Sequence, residues 1–150
     1  MKSMFRQLVT LSLSLAMCFL MIPGASAASY QIGDVTIETG MSDPHQIQPR
    51  AVVYYEKVSD ATFFPFSIGC KPQNGHVMVL TIENTGEEKI YVDIYMDDQF
   101  IDEASYVVPA GDSIDTTFTA QDGILDNSFT FHLSTQSTKG MSCVITAIQY

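Results

Sequence analysis

Past the first thirty residues the chain never holds a helical apolar period over the length of a helix. Short runs rich in Val, Ile, Tyr, Phe and Thr recur instead, each bounded by Gly, Pro, Asn or Asp. A side-chain period of two between frequent turns is the pattern of strands that bury one face. It leaves helical bundles and strand-helix-strand folds no material to build from, and predicts an all-β class with antiparallel strands in a sandwich. The predicted strands are Tyr30–Glu38, Ala51–Val58, Thr62–Ile68, His76–Glu83, Lys89–Met96, Gln99–Val108, Ser113–Thr119, Ser128–Ser134 and Ser142–Gln149.

The N-terminal end has a different character. Lys2 and Arg6 precede an apolar run from Leu8 to Ile22, and Pro23-Gly24 ends any helix just before Ala25-Ser26-Ala27. A basic start, a short apolar segment and a small-residue A-x-A site make a cleaved secretory signal helix over 1–27, too short and wrongly flanked for a membrane span. Met17 is too large to precede a lipidated cysteine, so Cys18 is expected to leave with the leader. The organisation expected of the rest is an N-terminal strand and loop over 28–50, with Gly40 to Arg50 as the loop, and a sandwich domain over 51–150. Loss of Lys2 and Arg6 with the leader takes the formal charge from −10 to −12. That balance excludes nucleic-acid binding through a basic patch and, once the leader is gone, an anionic membrane surface.

Cys70 and Cys143 are the cysteines left in a chain bound for an oxidising space, and a disulfide between them is expected. It would close a loop of about 74 residues, which the chain-entropy model values at ~4 kcal/mol. No Cys-x-x-Cys motif points to redox chemistry.

The best-defined local structure is a hairpin about Asp97-Asp98. A two-residue turn there sets Tyr95 against Phe100, Ile94 against Ile101 and Asp93 against Asp102, with apolar residues facing each other, and asks Asp98 for a positive φ. Asn84-Thr85-Gly86 supplies the preceding turn and Pro109-Ala110-Gly111 the following one. The run from Leu80 through Asn84-Thr85-Gly86, Tyr91-Val92-Asp93-Ile94-Tyr95 and Pro109-Ala110-Gly111-Asp112-Ser113 resembles the bacterial immunoglobulin-like modules related to cell adhesion, the CARDB-type domains. The resemblance covers about a quarter of the chain. It implies an immunoglobulin-like sandwich and an extracellular setting, and carries no catalytic residue with it.

Residues that could do chemistry are sparse. His45, His76 and His132 lie far apart, and no His-Glu-x-x-His, Gly-x-Ser-x-Gly or phosphate-loop motif is present. An enzyme would need a deep pocket holding His76 or His132 beside a carboxylate. No cofactor is expected. If Asp93 and Asp102 stand across from each other, their repulsion would be relieved by Ca²⁺, though no EF-hand spacing supports a metal site.

The stronger candidate is a surface. Tyr91, Asp93, Tyr95 and, across the hairpin, Phe100 and Asp102 should share one sheet face as the ligand-binding residues, and rings beside carboxylates suit a sugar ring or an extended peptide. The absence of Trp weighs against the sugar. Phe63-Phe64-Pro65-Phe66 is expected to pack in the core, any exposed ring marking a protein contact. The reading is therefore a secreted, non-enzymatic binding module for a glycan or an extracellular protein or peptide. The alternative is a structural subunit of an extracellular matrix or filament that self-associates edge to edge.

Overall fold

The computed structural model describes residues 28–41 and 51–150. The expected signal peptide over 1–27 and residues 42–50 of the expected loop lie outside the described residues. Within them the chain is all-β, with strands β1 (Ala28–Ile32), β2 (Val35–Met41), β3 (Ala51–Ala61), β4 (Phe63–Gly69), β5 (Val77–Asn84), β6 (Ile90–Met96), β7 (Gln99–Phe100), β8 (Tyr106–Val108), β9 (Ser113–Ala120), β10 (Ser128–Ser134) and β11 (Met141–Gln149). The helical content of these residues is two single 3₁₀ turns, Pro72–Asn74 and Asp102–Ala104.

The strands form two antiparallel sheets. The larger has the order β1-β2-β9-β5-β11-β3; the smaller runs β4-β10-β6-β7, with β8 also on β6. From β3 onward the chain changes sheet at almost every connection, so the inner face of each strand meets the opposite layer. Burial follows the period of two closely: β11 alternates buried and half-buried along its whole length, and β10 buries Phe129, Phe131 and Leu133 while Thr130, His132 and Ser134 face out. The core centres on Phe118, Phe129 and Phe131, with Phe66 stacked on Phe131 at 4.9 Å. Each such side chain contributes about 1.5–3 kcal/mol by leaving water.

Two buried amides tie the ends of this core. Asn84, 1% exposed, donates from Nδ2 to the carbonyls of Glu88, Val108 and Pro109 at 2.7, 3.1 and 3.0 Å, and its Oδ1 accepts from the Gly86 N–H at 3.1 Å. The Asn84-Thr85-Gly86 and Pro109-Ala110-Gly111 turns are thus fastened to each other by one side chain. At the opposite end Gln149 donates to the carbonyls of Lys71 and Gly75, both at 2.9 Å, and accepts from the Lys71 N–H at 3.1 Å.

Three expectations about the elements change. The single strand over Tyr30–Glu38 is a hairpin turned at Gly33-Asp34, and its second strand is integral to the larger sheet, with Val35 and Ile37 fully buried. The strand over Gln99–Val108 is broken, because Ile101 and Ala104 are drawn into the core and the chain between them takes a 3₁₀ turn. The Cys70–Cys143 disulfide is not formed; both cysteines are free and buried. Cys70 lies beside Met78, its thiol donating to Sδ at 3.5 Å, whereas Cys143 is registered opposite Asn84. Met78 and Asn84 stand at opposite ends of β5, about 20 Å apart at ~3.4 Å per residue, and a disulfide needs Cα atoms within ~7 Å. Burial pushes the Cys70 thiol up to about 12 and that of Cys143 to about 11, so neither is a ready nucleophile.

Candidate functional site

Outward-facing residues of the smaller sheet are placed by the same alternation that fills the core. On β6, Ile90, Val92 and Ile94 point in, which turns Tyr91, Asp93 and Tyr95 out. Antiparallel pairing then sets Ser134 beside Tyr91, His132 beside Asp93 and Thr130 beside Tyr95 on β10, and Phe63, Pro65 and Ser67 beyond them on β4. Pro65 is tolerated because β4 is an edge strand, where a missing N–H breaks no ladder. The hairpin at Asp97-Asp98 closes with φ of 49° and 66° and brings Phe100 opposite Tyr95.

Four rings run diagonally across these strands. Phe100 lies 5.1 Å from Tyr95, Tyr95 lies 4.6 Å from His132, and His132 lies 5.4 Å from Phe63, the rings of each pair inclined at 45°, 49° and 65°. The outer members are the open ones: Phe63 is 54% and Phe100 49% exposed, while Tyr95 and His132 are half-buried between them. Phe100 and Tyr95 are directly opposite, whereas the Tyr95–His132 and His132–Phe63 contacts join residues two positions out of register, since aromatic rings bridge the wider cross-strand diagonal. Tyr91 shares its cross-strand row with Ser134 and Phe63 and stands at the lip of a polar hollow of about 310 Å³ formed with Glu87, Glu88, Lys89 and Thr135.

Asp93 is half-buried between Tyr91 and Tyr95 on its own strand and beside His132 on the next, and among the described residues it makes no side-chain hydrogen bond or ion pair. Asp97 is different: its carboxylate accepts from the Ser128 N–H at 3.0 Å and from Asn127 Nδ2 at 2.8 Å, and these bonds hold its pKa below the usual carboxylate range. It fastens the hairpin turn to the start of β10.

The structure therefore brings Tyr91, Asp93, Tyr95 and Phe100 onto one face and takes Asp102 away from it. Asp102 opens the 3₁₀ turn, so the facing pair of carboxylates does not arise and the case for a relieving Ca²⁺ goes with it. No group of three or more His, Cys, Asp or Glu side chains able to hold a metal occurs among the described residues. Phe63 and His132 are the members that sequence reasoning left out. Phe63 was assigned to the core, yet Phe66 and Ile68 are the buried residues of β4, and counting back by two from Phe66 turns Phe64 in and Phe63 out.

A second concavity of about 190 Å³ opens between the β1–β2 hairpin and the 3₁₀ turn at Asp102, lined by Tyr30, Thr39, Ala104, Tyr106 and Ile114. Thr39 Oγ1 is buried there without a protein hydrogen-bond partner. Thr116 donates to the Tyr106 hydroxyl at 2.9 Å, and burial raises the pKa of that phenol. This cleft contains neither His76 nor His132. No protein-family model, curated protein or solved structure matches the chain.

Proposed function

We propose that this chain is an exported, non-enzymatic binding module whose ligand, a glycan or an extracellular peptide, lies on the outer face of the smaller sheet. The observation that carries this reading is the ladder of four rings from Phe63 to Phe100, with its two end rings about half exposed. Rings left in water on a hydrogen-bonded sheet cost little conformational entropy to cover, and each square ångström of apolar surface removed from water returns about 25 cal/mol. Export is supported by the basic, apolar and A-x-A pattern of residues 1–27. An immunoglobulin-like ancestry of the fold is supported by its two central pairs, β5 with β9 in one layer and β6 with β10 in the other. It is opposed by β11, which lies between β3 and β5, where a constant-type immunoglobulin sandwich keeps its last strand beside the partner of the β6 equivalent.

The test is a glycan and peptide array probed with the chain from Ala28 onward and with its Phe63→Ala/Tyr95→Ala variant. Hits that vanish in the variant while its melting temperature stays within a few degrees support the face; hits that persist remove it. A structural subunit remains a second reading because β3, eleven residues long, is an open edge with Val52 62% and Tyr55 65% exposed. Sedimentation that shifts with concentration, and is abolished by Tyr55→Lys, would favour that reading over a monomeric binder.

A further inference from the structure

The strands that build the ring face, β4, β6, β7, β8 and β10, contain no Lys or Arg and a single carboxylate, Asp93. Among the described residues the Lys or Arg ion pair is the exposed Lys139–Glu87 contact, elsewhere on the molecule. Asp97, just past the end of β6, already accepts two hydrogen bonds, so Asp93 is the carboxylate left open on this face. It sits between rings whose π faces carry negative potential, in a chain of formal charge −10. The one fixed charge on the outward side of these strands is therefore negative, with the imidazole of His132 beside it and Lys89 at the far end next to Tyr91.

The tilt of the rings decides which ligand shape can use them. A flat array of sugar rings is met best by aromatic faces in one plane, whereas consecutive rings from Phe63 through His132 and Tyr95 to Phe100 are inclined by 45° to 65° and leave notches between them. A planar guanidinium fits such a notch: it stacks on an aromatic face and gives a carboxylate two parallel N–H donors. The steps of 5.4, 4.6 and 5.1 Å reach at most about 15 Å, the length of four or five extended residues at ~3.3 Å each.

We propose that the outer face of the smaller sheet binds an arginine-bearing extended peptide, the guanidinium held by Asp93 and stacked on the Tyr95–His132 rings, with Phe63 and Phe100 covering the apolar flanks. This rests on the reading of that face as the ligand surface, and makes its ligand a cation instead of a neutral sugar.

The experiment is calorimetric titration of the chain from Ala28 onward at physiological salt with three probes. These are a capped Gly-Ser octapeptide carrying two arginines, its citrulline twin, which keeps the planar group without the charge, and a neutral β-linked hexaose. The arginine peptide should bind, the citrulline twin about tenfold more weakly or worse, and Asp93→Asn should weaken the arginine peptide by a similar factor. Glu83→Gln, which removes the same charge from the outer face of the larger sheet, should change nothing. Equal binding of the citrulline peptide, an equal loss in Glu83→Gln, or no heat from the arginine peptide overturns the proposal. Binding of the hexaose that needs Phe63 and Tyr95 but not Asp93 overturns the cation while the face survives. Arginine-peptide binding that is indifferent to Phe63→Ala/Tyr95→Ala removes the face itself.

Discussion

Replacing Asn84 tests whether one amide holds the two turns at its end of the sandwich. The side chain is 1% exposed, and its orientation is forced by its surroundings: three carbonyls require the NH₂ end and the Gly86 N–H requires the oxygen. Two hydrogens shared among three carbonyls, plus one accepted bond, amount to about three hydrogen bonds at roughly 1 kcal/mol net each, so Asn84→Ala should cost ~3 kcal/mol. For a domain of this size that is roughly a 10–15 °C fall in melting temperature. Asn84→Asp keeps the shape and the bond from Gly86 but aims a carboxylate oxygen at carbonyl oxygens 2.7 to 3.1 Å away. At pH 7 it should therefore be worse than Ala, by ~1 kcal/mol or more, because a buried charge facing acceptors has no compensation. Calorimetry and urea midpoints at unchanged m-value measure both, and exchange of the Gly86 amide reports the local bond. A fall below about 3 °C for the alanine variant, or an aspartate variant equal to wild type at neutral pH, would refute this account of the turns.

Other consequences are independent of that site. Because Cys70 and Cys143 are buried, placed towards opposite ends of β5 and raised in pKa by burial, the native chain from Ala28 onward should react negligibly with a thiol reagent at pH 7.5, and the urea-unfolded chain should titrate both thiols without prior reduction. Failure of the unfolded chain to react would restore the disulfide and displace the packing around β11. Asp97 has a folded pKa lowered by its bonds to Ser128 and Asn127, so its stabilisation is complete above the usual aspartate pKa of ~4 and is lost as pH falls through the lower folded value. The stability difference between wild type and Asp97→Asn, which keeps the positive φ, should shrink as pH drops below ~4; a difference constant from pH 7 to 2.5 would assign it to the turn instead. Phe131→Ala, which empties a site between Phe66 and Phe118, should cost ~3–5 kcal/mol, whereas Phe63→Ala outside the same sheet should cost under ~1 kcal/mol. Denaturant midpoints for the two variants decide this, and similar losses would place Phe63 in the core.

What could be read from sequence follows the distance over which each feature is determined. β10 matches its expected bounds because its inward apolar and outward polar residues alternate without interruption, and β5 and β11 differ by a residue at their ends, their inward positions being apolar from Met78 to Ile82 and from Met141 to Ala147 although Val79, Val144 and Ile148 are apolar on the other side. The expectations that failed needed more than alternation. Gly33-Asp34 is an exception, because a Gly-Asp pair between two short alternating runs is a local hairpin signal and Gly33 takes the positive φ it predicts, so this turn was legible although the run reads as one strand by alternation alone. Ile101 is apolar in either a straight or a broken strand, and only its place in the core, with Ala104, shows why the chain leaves β6 after Phe100. The cysteine pair failed for a similar reason. Neither residue's surroundings reveal which end of the sandwich it occupies until β11 is threaded between β5 and β3.

The ring face divides along the same line. Tyr91, Asp93, Tyr95 and Phe100 belong to one hairpin, whose two-residue turn sets their register within a few residues of chain, and they could be placed together before any sheet was assembled. His132 and Phe63 reach the face only because β10 lies between β6 and β4, pairings that close over tens of residues and leave no local trace. Yet they change its chemistry. With the hairpin alone, an aspartate between two tyrosines is a surface open to water; with His132 beside it and Phe63 beyond, the same carboxylate is set within a continuous aromatic surface that brings it no Lys or Arg. Covering that carboxylate with a neutral ligand would add a desolvation cost that a guanidinium would offset by pairing with it, so on the proposed reading the non-local half of the face restricts what the local half could bind.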